Sequence, residues 1–446
     1  MKILERVAQS VTAAKFLVAA RQVALLLGVI LALGAASKHL PYEASEQFFP
    51  TASVRLLWQR NLAFSLAIDL GKGSMANRVF VAGNGLEAYD VRTGQRLWSA
   101  GISQIFYAVV EGQGRVFAAG GGPDILLQAY EGSDGTLDWE DRLSSAEGYD
   151  FIRIESVALG NGRVFAAGWG PRAGQDRDFI VRAYAAETGA ILWEDRFHKG
   201  TQDFAYGIST DTQGMRVFAV GTAGSGTQDF VVRAYEARTG ALIWQDDLES
   251  EGDDVAFSVT TGQGRVFVAG RRGDLWSGDF VVRAYNAKSG ALIWQDEFDQ
   301  AGFSDSALAI AEKEGKVFAV GQGFSGLGGV NNFVVRGYDS NTGELLWQDL
   351  SCPNDQNEIA YSITIEAGRL FVGGTSQDAS GKNSVLLRAY NKSAGKLLWQ
   401  DRYEEIGNSF GPFLASGSGR LFVARNLLRA YNVTGLKPKD DKDPRW

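Results

Sequence analysis

AYNAKSGALIW, residues 284–294, is one of seven copies of a single pattern, and that pattern decides the fold. The others are AYDVRTGQRLW (88–98), AYEGSDGTLDW (129–139), AYAAETGAILW (183–193), AYEARTGALIW (234–244), GYDSNTGELLW (337–347) and AYNKSAGKLLW (389–399). In each copy the Trp lies ten residues after the first position. An eighth copy starts at Ala430 (AYNVTG) but lacks its Trp, while SVRLLWQ, far upstream, carries a Trp (Trp58) without the rest of the motif. A linear array has no reason to keep the missing piece of its last repeat in its first. A closed ring does.

The full repeat is about 50 residues long, a period that belongs to solenoids and propellers. Residues 254–298 show its content: AFSV (256–259), RVFVAG (265–270), DFVVRAY (279–285) and ALIWQDEF (291–298). These four runs are rich in Val, Phe, Ile and Trp and are bounded by Gly, Asp and Asn, as strands are. The Arg-Val-Phe run recurs at 78, 115, 163, 216 and 265, with variants at Lys316, Arg369 and Arg420. Eight such runs imply an all-β, eight-bladed β-propeller of four-stranded blades, a radial arrangement that leaves only short, protected sheet edges. The eighth blade takes its outer strand from residues near 53–59. The 55 glycines suit a turn-rich chain.

The first 50 residues read differently. Lys2, Arg6, Lys15 and Arg21 precede VALLLGVILALGAA (23–36), an apolar run of 14 residues. A bilayer span takes about 20 residues, so this run suits a signal peptide, with Gly34, Ala35, Ala36 and Ser37 as small residues for cleavage. Residues 1–37 are expected to be a signal peptide or, if uncleaved, a transmembrane anchor in the inner membrane. Residues 38–50 read as a linker, 51–435 as the propeller, and 436–446 as a charged, disordered tail. The chain is thus expected in the periplasm or another extracytoplasmic compartment. Its formal net charge is −8; residues 1–36 hold four basic groups and Glu5, so the remainder carries −11. An acidic domain has no electrostatic footprint for nucleic acid. Cys352 is the single cysteine. It precludes an internal disulfide and, between Ser351 and Pro353, reads as an incidental loop thiol.

The Ala-x-Asp-x-x-Thr-Gly-x-x-x-Trp pattern resembles the tryptophan-docking motif of the pyrroloquinoline quinone (PQQ) repeat β-propellers. Ala88, Asp90, Thr93, Gly94 and Trp98 match it best, whereas Glu131, Ala185, Glu236 or Asn286 stands at the Asp position elsewhere. The resemblance covers residues 55–435, roughly, and implies that each Trp packs between blades while the turn residues tie one blade to the next. Two branches of the family differ in function. Resemblance to the quinoprotein dehydrogenases implies PQQ on the axis, calcium held by carboxylates and amides, an Asp base and usually a vicinal disulfide. A lone Cys352 cannot form that disulfide, and eight repeats of about 50 residues leave no length for insertions over the pore. The other branch is non-enzymatic and includes the periplasmic propeller of the outer-membrane protein assembly machinery. The chain is more similar to that branch in size, envelope signal and lack of catalytic groups. It departs from it in having no lipidation Cys after the apolar run. The resemblance therefore implies a monomeric, non-catalytic scaffold with protein partners in the cell envelope, without cofactor or metal. The alternatives are a PQQ- and calcium-binding quinoprotein and a ligand- or carbohydrate-binding propeller.

Searching the residues for chemistry yields little. The two histidines, His39 and His198, are remote in sequence, so no His cluster is expected to hold a metal or form a triad. The glycines of SGLGGV (325–330) precede a strand and not a helix, so they do not build a phosphate cradle. The residues that lead into the innermost strands are Asn61, Gln104, Ile152, Asp203, Asp254, Asp305, Glu358 and Ser409. Asp203, Asp254, Asp305 and Glu358 could stand together at one channel mouth as a ligand site; alternatively, each caps its own turn. Arg182, Arg233, Arg283, Arg336 and Arg388 are expected to pair across strands with Asp195, Asp246, Asp296, Asp349 and Asp401 of the same blade. Blades 3 to 7 carry long loops between their second and third strands. Trp169, Arg172, Arg271, Arg272, Trp276, Phe303 and Phe324 would gather on that face, and exposed Trp and Arg are typical interface anchors.

Overall fold

The computed structural model describes residues 54–122, 125–142, 152–172, 176–326, 329–351, 357–378, 380–404 and 411–436. The expected signal peptide or anchor, the linker, Cys352, Ser409 and the tail beyond Leu436 lie outside them. No helix among the described residues is long and apolar enough to cross a membrane.

Each repeat forms one antiparallel sheet whose strands follow chain order from the inner to the outer edge. In blade 5 they are Val255–Gly262, Arg265–Arg272, Asp279–Asn286 and Leu292–Phe298. Blades 2, 3, 4, 6 and 7 occupy 105–142, 152–197, 204–248, 306–351 and 357–404. Blade 1 begins with Ser65–Leu70, and its outer strand runs on without a break into the inner strand of blade 2 as Arg96–Gly112. Blade 8 contributes Phe413–Gly417, Arg420–Ala424 and Leu427–Asn432, and its fourth strand is Arg55–Asn61. There Trp58 pairs with Ala430, the same register as Trp98 with Ala88 and Trp294 with Ala284 in the unbroken copies. The ring is closed by hydrogen bonds between residues far apart in the chain, such as Ser65 Oγ to the Arg425 carbonyl, 360 positions on, at 2.7 Å.

The burial follows from the radial stacking. Second and third strands have a blade on each side, so RVFVAG and DFVVRAY are buried on both faces and read as near-continuous apolar runs. Fourth strands face solvent on one side, and their pattern alternates. Among the described residues the apolar core is accordingly divided into eight clusters, each filling one junction: Phe218, Trp244, Val266 and Tyr285 lie between blades 4 and 5, and Trp58, Val79, Tyr89 and Phe422 lie between blades 8 and 1.

The repeated motif is what fastens each junction. The outer-strand indole donates its N–H to a backbone carbonyl in the next blade's turn: Trp58 to Val91, Trp98 to Gly132, Trp139 to Ala186, Trp193 to Ala237, Trp244 to Ala287, Trp294 to Ser340 and Trp347 to Lys392, all within 3.0–3.2 Å. The ring then lies flat on that turn's glycine and stacks on its Tyr, as Trp244 does on Tyr285 at 5.7 Å and 28°. Gly290 is required twice over: its φ is +74°, and a Cβ there would sit 2.7 Å from Trp244.

The Arg–Asp pairs exist, but between blades and not within them. Arg233 and Tyr235 of blade 4 both reach Asp195 of blade 3, at 3.2 and 2.8 Å. Arg182 and Tyr184 reach Asp141 at 2.6 and 2.8 Å, and Arg283 and Tyr285 reach Asp246 at 2.7 and 2.9 Å. Arg336 and Arg388 reach Asp296 and Asp349 in the same manner. Strand register explains the correction. Within blade 3, Asp195 opposes Val181, while Arg182 opposes Glu194, so the pleat sends Arg182 and Asp195 to opposite faces.

Three stability outcomes are expected in urea unfolding. Trp244→Ala lowers stability by roughly 3–5 kcal/mol. Gly290→Ala lowers it by roughly 1–3 kcal/mol through overpacking against the same indole. Deleting residues 1–61 exposes the Leu427–Asn432 edge and should replace a single calorimetric transition with a broadened, aggregation-prone one.

Candidate functional site

Repeat symmetry breaks on the face that carries the long loops and the links between blades. Here an acid just ahead of the inner strand ties neighbouring loops together. The Asp305 N–H donates to the Gly278 carbonyl at 2.7 Å, and its carboxylate accepts from the backbone N–H groups of Gln300 (2.6 Å) and Phe324 (2.7 Å). Asp254 bonds Gln228 in the same way and accepts from the Ser250 hydroxyl at 2.7 Å and from the Gly273 N–H. Asp203 bonds the Arg177 carbonyl and accepts from Lys199 (2.8 Å), Gly200 (3.2 Å) and Gly224 (3.0 Å). Glu358 instead takes Arg388 at 2.9 Å and Arg402 at 2.7 Å.

All four acids are fully buried. The four act separately and not as one shared channel-mouth site: each carboxylate takes donors from its own blade or the turn before it, and the N–H groups of Asp203, Asp254 and Asp305 tie back to the preceding blade. For the three Asp residues the physical reason is that buried backbone N–H groups need acceptors, and a short carboxylate supplies them where chain reversal leaves no strand partner; Glu358, within its strand, answers Arg388 and Arg402 instead. Burial raises the pKa of each. Asp305 is pushed up to about 6 by desolvation, which its backbone donors offset in part, with the like charges of Asp299 and Asp279 adding to the rise.

The residues expected on the partner face divide into two sets. Trp169 is 4% exposed and packs edge-on against Phe204, with Arg177 over its face at 4.6 Å. Arg271 is 6% exposed and bonds the Gly273 and Asp253 carbonyls. These two brace the loops and offer no free surface, because their long side chains cover the loop backbone. Trp276 is 80% exposed, the one exposed tryptophan among the described residues. Arg172 is exposed, Arg272 pairs with Glu297 at 2.9 Å, and Phe303 and Phe324 meet at 5.5 Å, half-buried. Asp305 joins the Trp276 loop to both phenylalanines, through Gly278 and Phe324.

The sequence reading gave His198 no companions; the fold supplies them. His198 Nδ1 lies 3.2 Å from Asp178 Oδ1 and 3.4 Å from Asp203 Oδ2. The signal was present in the repeat: His198 occupies the position of Glu249 and Asp299, directly after a fourth strand.

The inner strands of blades 1 to 7 each carry a β-bulge; the residues skipped in the register include Tyr107, Glu155, Tyr206, Phe257 and Tyr361. Bulges re-aim side chains, and here they meet across junctions: Arg153 covers Tyr107 at 3.9 Å, and Tyr206 contacts Phe257 at 6.2 Å. A cavity of about 340 Å³ opens among blades 7, 8 and 1, with Asp69, Lys72, Thr364, Ser416, Arg420 and Phe422 in its wall.

Comparison with known proteins agrees with this architecture. The sequence profile of the family described as outer membrane protein assembly factor BamB matches residues 51–172, 177–387 and 228–437. No curated protein matches the chain in sequence. Among solved structures, BamB from Moraxella catarrhalis is similar over 85% of this chain and 100% of its own, at 13% identity and a TM-score of 0.55. The quinohemoprotein alcohol dehydrogenase of Comamonas testosteroni is similar over 86% of this chain and 77% of its own, at 14% identity and a TM-score of 0.58. A second quinohemoprotein alcohol dehydrogenase, ADHIIG from Pseudomonas putida HK5, covers 88% and 78% at 12% identity and a TM-score of 0.57. Identities this low establish the shared fold.

Asp305 supplies a pH test. Its folded pKa lies above the ordinary 3.8, so its contribution to stability is full below pH 3.8 and is lost as pH rises through about 6. At about 1.4 kcal/mol for each tenfold change in acidity, the contribution is up to roughly 3 kcal/mol. The stability of the native chain minus that of Asp305→Asn should therefore grow as pH falls from neutral towards 4, as read from urea midpoints across pH. A flat difference would mean that Asp305 is ionised without cost.

Proposed function

The chain belongs to the family described as outer membrane protein assembly factor BamB, and from that membership we propose that it is a non-catalytic, extracytoplasmic propeller that serves as a protein-interaction scaffold. The observation that carries this reading is Trp276, an indole 80% exposed in a fold whose docking indoles are held at blade junctions. An exposed Trp has no role in fastening blades, and Trp with Arg supplies most interface hot spots. Arg272 and the Phe303–Phe324 pair extend the same loop face. The partner is a protein of the cell envelope, in outer-membrane protein assembly as the family description suggests, and residues 1–37 direct the chain there as signal peptide or anchor.

Length also supports the scaffold reading. This chain spans all of the Moraxella BamB structure but 77–78% of the two alcohol dehydrogenases. The cavity among blades 7, 8 and 1 is not lined for the dehydrogenase cofactor either. PQQ is a planar tricarboxylate, and its calcium ion needs several carboxylate and amide oxygens. The cavity wall brings one carboxylate, Asp69, already 3.8 Å from Lys72, and no amide side chain.

Two measurements test the proposal. A photo-crosslinker placed at Trp276 should capture a protein of the outer-membrane assembly machinery, and Trp276→Ala should weaken co-purification of that protein by at least about tenfold, with the fold intact by circular dichroism. Equal recovery with Trp276→Ala would remove this face as the docking surface. Titration of the chain with PQQ and calcium should give no saturable heat at tens of micromolar; one-to-one binding would favour the quinoprotein reading.

A further inference from the structure

We infer that Asp178, His198 and Asp203 form a binding site for a divalent transition metal of the zinc class at the junction of blades 3 and 4. The three ligand atoms, Asp178 Oδ1, His198 Nδ1 and Asp203 Oδ2, lie within 4.8 Å of one another. The two spacings from His198, 3.2 and 3.4 Å, match the edge of a tetrahedron of ligands, which is roughly 3.4 Å for bonds of about 2.1 Å. An imidazole with two carboxylates suits zinc and its first-row neighbours better than calcium or magnesium, which prefer oxygen alone.

A second observation is independent of the clustering. Asp178 is 3% exposed, and its Oδ1 receives no hydrogen bond even though His198 Nδ1 is close by. An approach to that distance without a hydrogen bond is how two ligands of one ion face each other. Arg172 Nη1, at 3.5 Å, is the other cation near Asp178. Asp203 is already oriented by three backbone N–H donors, the kind of outer support that holds a metal-binding carboxylate in place.

Comparison between junctions sharpens the assignment. Asp178, Asp229 and Asp279 are equivalent, as are His198, Glu249 and Asp299, and Asp203, Asp254 and Asp305. At the second junction the Lys199 ammonium answers the negative charge, 2.8 Å from Asp229 and 3.0 Å from Glu249. At the first junction the middle acid is replaced by a histidine, and among the described residues no other histidine is present and no lysine lies within ion-pair distance of Asp178 or Asp203. His198 is exposed, so the ion has room for water or for a fourth donor from outside the chain.

The test uses the full-length chain without a histidine tag, stripped with EDTA and titrated with Zn²⁺ near neutral pH. One saturable site per chain and a rise of a few degrees in the thermal midpoint are expected. His198→Ala should abolish both effects, Asp178→Asn should weaken binding more than roughly tenfold, and His39→Gln should change neither. Should His198→Ala fail to fold, the visible absorption of the Co²⁺-loaded chain against that of His198→Asn gives the same reading. Absence of saturable binding, or binding unchanged in the His198 variants, overturns the inference. If replacing His198 lowers stability without Zn²⁺ while Zn²⁺ neither binds nor stabilises the unaltered chain, the contact is an ion pair only and the inference fails.

Discussion

The ring depends on an indole lying across a glycine. Seven outer-strand tryptophans, Trp58 to Trp347, donate their N–H into the next blade's turn and cover a Gly whose replacement would clash with the ring. A large aromatic buries more area at a junction than any aliphatic side chain, and its single donor leaves no polar atom stranded. Repetition around the ring leaves only short, protected sheet edges where open ones would invite aggregation. Around the indole, a layer of Tyr, Arg and Asp crosses the same junctions, so the blades are joined by a dry contact and a charged one side by side. The charged layer is mostly buried, and its carboxylates each receive an Arg and a Tyr, the kind of added hydrogen bonding that offsets the cost of a buried ion pair.

Symmetry of this kind consumes residues. The Arg and Asp repeated around the ring are engaged in holding neighbours, and so are the acids that precede the inner strands. What remains for function is whatever differs between blades. Trp276 differs by standing exposed in the loop that follows the strand ending at Arg272. His198 differs by replacing an acid at a position where the neighbouring junctions keep one. Both lie where connections between blades can vary in length without disturbing a junction, which is why loops on a rigid scaffold so often carry binding.

Much of the fold was legible in the residues and much of the candidate site was not. The motif's spacing gave away the ring, its blade number and the seam, since Trp58 is the piece that the copy at Ala430 lacks. Turn chemistry is local, and Gly at a positive φ is recognisable from sequence. The acids Asp203, Asp254 and Asp305 were legible as a set, but their role was not, because whether a carboxylate faces a channel or a buried turn depends on backbone donors from distant loops. Trp169 and Trp276 look alike in sequence, each in a long loop with Arg nearby. One is buried against Phe204 and the other stands in solvent.

Sequence alone therefore determined the architecture: strand content, blade count, ring closure and the residues that dock. These follow from periodicity and short-range turn preferences, which act within one repeat and are copied into the next. Tertiary structure alone decided which face of each sheet an Arg or Asp addresses, and with which blade it pairs. It also decided that His198 meets Asp178 and Asp203. Those outcomes depend on strand register and on the packing of one blade against another, where a shift of one residue reverses every side chain.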